Sequence, residues 1–399
     1  METYFVDWIS LIVRWLHVIT GIAWIGASFY FMWLDNSLED PPQWKKDKGI
    51  KGDLWAVHGG GIYEVAKYQG APEKMPEHLH WFKWEAYSTW LTGMVLLAVI
   101  YYLGAESYLI DRRVADLSQW QAIGLGIAFV AGSWLAYTLL CISPLAKNGW
   151  LLAVVLLVLG GGLAWGLSAC FSGRGAYIHF GAIIGTIMVG NVFQVIMPGQ
   201  RKLVGALEAG ETPNPEWGAR AKLRSTHNTY LTLPLLFIMI SNHYPMTYGH
   251  AFNWAILLAI VVITAVSRQY FVLRHLHINR PAILGAAMAA TVVLAVWIAP
   301  KATQSTVTGL SSAELAPRAH SIIRERCSSC HAAMPTDDVF TTSPGGVMLD
   351  TVEQMQQWAP RIKARSIDSH DMPFMNKTNM TDEERDIVAQ WIEAGSPAT

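Results

Sequence analysis

Charge is what this chain has least of. Only 15% of its 399 residues are charged and 52% are hydrophobic, where a soluble protein usually carries about a quarter charged residues. An ordinary soluble domain is therefore excluded for most of its length. Neither sign of charge dominates either. A net charge of −1 supplies no basic field for nucleic acid, which is not expected as a partner. Cysteine is scarce too, with four residues, too few for a disulfide framework. Cys141 and Cys170 end apolar stretches, where a free thiol is an inert small hydrophobe. The amino terminus, Met1 to Asp7, lacks the basic start of a cleavable signal peptide, so the first hydrophobic stretch is expected to be retained as a span.

The other two cysteines lie in Cys327-Ser-Ser-Cys330-His331, the attachment pattern of a c-type haem. Each thiol can add to one vinyl group of the porphyrin while the imidazole of His331 reaches the iron. No second Cys-x-x-Cys and no βαβ pattern accompanies them, which counts against a zinc site or a redox dithiol. Downstream, Asp350 to Ala364 is helix-like, and Thr381 with Glu384 forms a capping box opening a last helix through Ile392. Between them stands His370-Asp-Met372-Pro373-Phe-Met375. Met372 is the expected second axial ligand, a thioether that raises the haem potential. Met375 and Met380 are alternatives, and His370 would lower the potential.

Eight apolar stretches are long enough to cross a bilayer: 9–34, 85–104, 120–141, 148–170, 177–197, 228–245, 250–272 and 282–299. The expected fold is all-α: a polytopic membrane bundle of eight transmembrane helices, followed by a small class I cytochrome c domain. The expected division is a transmembrane domain over 1–300, a linker over 301–316 and a periplasmic haem domain over 317–399. Covalent haem attachment in bacteria happens outside the cytoplasmic membrane, so the amino terminus is expected outside as well. The loops then placed inside carry sixteen lysines and arginines, and those placed outside carry three, Arg112, Arg113 and Arg174. The positive-inside rule gives the same orientation in the inner membrane. Ser88-Thr-Trp-Leu-Thr92 resembles Asn228-Thr-Tyr-Leu-Thr232, which hints at a 4+4 repeat.

Ionisable residues within spans are functional candidates. His17 and His179 are expected at similar depth near the outer surface, where they could hold a second, non-covalent haem b or simply make interhelical hydrogen bonds. His243 and His250 are substitutes, and Arg14 could meet a haem propionate. On the inner face, His58-Gly-Gly-Gly-Ile-Tyr-Glu64 reads as a glycine cradle opening a helix-like segment, where backbone amides converge on an anion. His80 follows among Trp81, Lys83 and Trp84, which also suit membrane anchors, and His227 opens the sixth span. A flat anionic ring could stack there and lose protons to His58, His80 or Glu64.

Trp15-Leu-His17-Val-Ile-Thr-Gly-Ile-Ala-Trp24, His58-Gly-Gly-Gly-Ile-Tyr-Glu-Val, Leu79-His80-Trp-Phe-Lys-Trp-Glu, Tyr177-Ile-His179-Phe-Gly-Ala and His227-Asn-Thr-Tyr-Leu-Thr-Leu-Pro closely resemble the bacterial membrane-bound urate hydroxylases. Cys327 to His331 and Met372-Pro-Phe-Met-Asn-Lys-Thr match the cytochrome that those proteins carry at their carboxy terminus. Met375 beside the axial candidate departs from that pattern. The resemblance implies oxidation of urate to 5-hydroxyisourate in purine breakdown. Electrons would pass to the haem c and on to a soluble cytochrome or a terminal oxidase. It assigns no site residue beyond the haem motif. Two other readings are an electron carrier anchored for another dehydrogenase and a purine transporter with an attached cytochrome.

Overall fold

A computed structural model describes residues 2–299, 311–340 and 342–399. A single long helix, α1 (Glu2–Ser37), leads through the short α2 (Gln43–Lys46) into a hairpin of β1 (Ile50–His58) and β2 (Gly61–Tyr68). Next, α3 (Trp84–Leu96) runs through a widened π-helical turn, Leu97–Tyr102, to the short α4 (Ala105–Tyr108). Then come α5 (Gln119–Ile142), α6 (Gly149–Cys170) and α7 (Gly173–Gly190), the last extended by a second π-helical turn, Asn191–Ile196, into α8 (Met197–Glu208). The bundle closes with α9 (Pro215–Ser241), α10 (Pro245–Tyr248), α11 (Asn253–His275) and α12 (Pro281–Trp297). A separate helical cluster follows: α13 (Ser312–Cys327), α14 (Val352–Ile362) and α15 (Asp382–Glu393).

The bundle is apolar on its outside. Trp120 and Trp150 are each 80% exposed, and Val158, Trp165, Val292 and Val296 also face outward. A helix in water would hide these side chains and show its polar face, so this surface suits hydrocarbon. Inside, Phe171, Tyr177, Ile183 and Ile238 form one packed core with Ala122 and Ala164. Five helical stretches are long and apolar enough to cross a membrane: Trp8–Ser37, Gln119–Ile142, Gly149–Cys170, Gly173–Glu208 and Asn253–His275. The remaining three of the eight expected stretches are helical as well, but depart from the length or polarity of a plain span. A π-helical turn interrupts the one after α3, α9 begins with a polar half, and α12 has 17 residues.

Two expectations are corrected. The glycines after His58 do not open a helix. Gly59 and Gly60 take φ of +58° and +81° and form the tight turn of an antiparallel hairpin in which His58 pairs with Gly61 and Trp55 with Glu64. Two successive left-handed residues match the twist of paired strands, and glycine adopts them without steric cost. The anion cradle therefore does not exist in the expected form. Part of the stretch assigned to the linker is helical. Residues 301–310 lie outside the described residues, but Ser311 and Glu314 form a capping box that starts α13 inside the stretch assigned to the linker. The helical expectations downstream hold, and Thr381 caps α15 with Glu384.

The carboxy-terminal cluster has its own core of Ile323, Met355, Val388 and Trp391. Arg326 ties α13 to α15 by a two-pronged ion pair to Glu384, at 2.8 and 3.0 Å, and also donates to Thr378 O. The Arg326 guanidinium holds Glu384 below the usual carboxylate range. A depressed carboxylate stabilises the fold above its unfolded value of about 4.3 and loses that contribution as pH falls through its folded value. Arg326→Ala is expected to cost this segment about 1–2 kcal/mol at neutral pH and less at pH 3. Hydrogen exchange of α13 and α15 in the full-length protein, compared at the two pH values, measures the difference.

Candidate functional site

The second π-helical turn decides where the polar groups of the bundle go. It widens α7 at Asn191, a buried side chain, and aims it into the space between α5, α7 and α9. There Asn191 Nδ2 donates to Tyr137 Oη at 2.9 Å and to Asn228 Oδ1 at 2.8 Å. Its Oδ1 accepts from Arg224 Nη1 at 3.3 Å. The Asn228 amide donates to Met188 O at 3.0 Å. Tyr137 Oη lies 2.8 Å from His227 Nδ1, with the Cys141 thiol 3.9 Å from the same nitrogen. The Arg224 guanidinium covers the Tyr137 ring at 4.8 Å.

Arg224 is 3% exposed, yet none of the described carboxylates pairs with it. A buried cation without a counter-charge costs several kcal/mol. Here one amide oxygen and one ring face offset part of that cost. The arrangement has the chemistry of an anion site: one fixed positive charge, two amides that can read the edges of a heterocycle, and an imidazole–phenol pair that can move a proton.

Of the residues singled out from sequence, His227 belongs to this network. Among the described residues, no hydrogen bond or ring contact joins it to the other three. His58 is exposed at the hairpin tip. Glu64 is taken up by Lys45, which also holds Asp53, and those two carboxylates raise the Lys45 pKa. His80 packs edge-on against Phe82, with ring centroids 4.5 Å apart. Tyr137, Asn191, Arg224 and Asn228 escaped sequence reasoning as a group because they come from three separate helices. Their signal was polarity inside or beside otherwise apolar stretches.

Nearer the other end of the bundle, His17 Nδ1 meets Thr89 O and Thr92 Oγ1, both at 3.0 Å. His179 is fully buried, with Nδ1 on Gly175 O at 2.8 Å and Nε2 on Tyr102 Oη at 3.3 Å. A Cβ on Gly126 would come within 2.6 Å of that Nε2, so only glycine fits there. Both histidines thus make hydrogen bonds within and between helices. As packed, both His179 ring nitrogens are engaged, whereas His17 is held through Nδ1. The two are also held differently, which lends the 4+4 repeat no support.

The third constellation is the haem motif. Cys327 ends α13, and His331 N bonds back to Cys327 O at 2.9 Å, so the five residues continue as one turn. Both cysteines are free thiols. Burial pushes the Cys327 thiol up to about 12 and holds the His331 imidazole below its usual range, hence neutral. His331 Nδ1 lies 3.0 Å from Val347 O, which leaves Nε2 as the free donor atom. A cavity of about 990 Å³ is lined by Cys327, Cys330, His331, Met372 and Met375 together with Arg174, Tyr108 and Tyr248 of the bundle. Phe374 meets Tyr108 across the same space, with centroids 5.5 Å apart.

Comparison with known families settles the first part of the chain. A family model described as urate oxidase N-terminal matches residues 3–299. The chain belongs to the urate oxidase N-terminal family. The match covers α1 to α12 and therefore the Arg224 network, but ends before α13. No curated protein and no solved structure matched. Membership of the urate oxidase family points to an oxidoreductase acting on urate, and the long apolar helices are compatible with a membrane protein.

Asn191 is the hub of this network, with three hydrogen bonds, one of them from the buried Arg224. Asn191→Ala is expected to cost about 2–4 kcal/mol, because it strands a charged donor and two neutral partners. Asn228→Ala should cost about half as much. Thermal unfolding of the detergent-solubilised variants orders the two.

Proposed function

We propose that the chain is a membrane-bound urate hydroxylase whose substrate binds the Arg224 network and whose electrons leave through a c-type haem on the carboxy-terminal segment. The observation that carries the reading is a buried guanidinium without a carboxylate, inside the part of the chain that matches the urate oxidase family. Urate is a planar anion at neutral pH. Arg224 would supply its counter-charge, Asn191 and Asn228 would pair its amide and carbonyl edges, and Tyr137 would close one side.

The reaction balances as urate plus water giving 5-hydroxyisourate, two protons and two electrons. His227, half-buried and fixed through Nδ1 by Tyr137, is placed to take a proton as the hydroxyl oxygen adds. His58, Glu64 and His80 stand apart from this network on the hairpin and the loop behind it. The reading therefore does not rest on them.

The residues around the cavity fit a covalently held haem. Two thiols flank a turn that presents a neutral histidine with its outer nitrogen free, and Met372 lines the same cavity. A bound haem c would accept electrons one at a time. The protein's own contribution is orientation: Val347 O fixes the His331 ring, and Arg385 holds the methionine loop through Met372 O at 2.8 Å. Eight spans in the inner membrane, with the haem segment on the periplasmic side, are part of the same proposal. They rest on the charge count of the loops and on the haem motif. A downstream cytochrome or oxidase would then collect the electrons. A second haem at His17 and His179 is left out of the proposal, because His179 has both ring nitrogens engaged, by Gly175 O and Tyr102 Oη.

Two measurements test this. Urate added without oxygen to purified protein should reduce the haem, with two electrons per urate and no hydrogen peroxide. A pyridine haemochrome spectrum should contain a c-type band alone, lost in Cys327→Ser. Peroxide formed in step with urate loss, or urate uptake into vesicles without haem reduction, would overturn the reading. Arg224→Gln is expected to lower kcat/KM for urate by roughly 10- to 100-fold, the weight of a charge-assisted hydrogen bond.

A further inference from the structure

A second buried arginine has even less to hold than Arg224. Arg268 lies on α11, seven residues before that helix ends at His275, or about 10 Å inside that end at 1.5 Å per residue. It is 4% exposed. Among the described residues its Nε has no hydrogen-bond partner, and Nη2 meets only the Met32 thioether, at 3.0 Å. Among the described residues no carboxylate pairs with it. Sulfur of this kind is a weak acceptor, so the charge is left almost uncompensated.

The geometry around Arg268 is specific. Its guanidinium lies over the Phe29 ring at 4.4 Å. The Nε and Nη2 atoms form one edge of the guanidinium fork, the edge that receives two parallel acceptors of an anion. Gln269 stands next in sequence, with the Tyr230 hydroxyl on its amide oxygen. A flat ring below, a cation with one two-pronged edge unfilled and the amide of the next residue describe a site for a planar, oxygen-bearing anion. A phosphate would gain nothing from the aromatic face, and a lipid headgroup would have to reach about two helical turns below the end of α11.

From these contacts we infer that Arg268, Phe29 and Gln269 form a second anion site, which takes an oxopurine anion and displaces the Met32 sulfur. The inference rests on the urate reading. α9 separates the two sites: Arg224, His227 and Asn228 meet α5 and α7, whereas Tyr230 meets α11. One turn beyond Met32, Asp35 pairs with Lys67 of the hairpin at 2.7 Å, so the hairpin is anchored beside this site. The site would hold substrate or product one helix away from the place of reaction.

Equilibrium dialysis of urate against full-length protein, reduced with dithionite and free of oxygen, tests the inference without turnover. Wild type should bind two equivalents. Arg268→Gln and Arg224→Gln should each retain one, and Arg268→Lys, which keeps the charge, should retain most of the second. In turnover, Arg268→Gln should raise KM by about tenfold and lower kcat by less. Wild type binding a single equivalent overturns the second site, as does Arg268→Gln still binding two. Loss of bound phospholipid from Arg268→Gln, with urate uptake intact, would make it a lipid site and overturn the inference as well. Should Arg268→Gln fail to fold, wild type and Arg268→Lys still decide by their stoichiometry. If wild type binds no urate at all, the urate reading itself falls.

Discussion

A cation buried among helices whose outer faces are apolar must find its acceptors inside the bundle. That constraint organises the first 299 residues. Arg224 is served by Asn191, Asn191 by the π-helical turn that re-aims it, and Tyr137 and Asn228 by Asn191 in turn. A straight α7 would rotate the asparagine off this face. The irregular turn and the buried charge therefore explain one another. Such irregularities inside helices commonly accompany functional sites.

The carboxy-terminal segment follows ordinary rules. Its helices are amphipathic, capped by Ser311, Thr351 and Thr381, and closed over Trp391, whose indole nitrogen donates to Pro397 O at 2.8 Å. Its recognition motif is local, so five neighbouring residues carry both the thiols and the histidine. Locality made it legible from sequence. The capping box of α15 was legible for the same reason.

The rest was legible only in proportion to how much of each feature is local. Apolar runs marked the stretches that prove helical, five of them long and apolar enough to cross a membrane, because that property needs only composition and length. The hairpin was missed although its signal was present: β-branched and aromatic residues in Trp55-Ala-Val-His58, a glycine pair, then more of them in Ile62-Tyr-Glu-Val65. Glycines before a helix and glycines between strands differ only in what flanks them, and here strand formers stand on both sides. The Arg224 network was out of reach for a different reason. Residues 137, 191, 224 and 228 meet only once three helices are packed, and His227 alone gave no means of finding its neighbours. Arg268 was counted as a loop cation from its place near the end of a span. The structure instead puts it inside, against Phe29.

The cavity around Cys327 and His331 has walls from both parts of the chain. Phe374 rests on Tyr108, Ser369 O lies 3.5 Å from where a side chain on Gly249 would begin, and Arg174 of α7 reaches the same space. A segment that shared no walls with the bundle could be exchanged for any other of similar size. Here a replacement would leave half of the enclosure mismatched, so the two parts are bound to change together over evolutionary time.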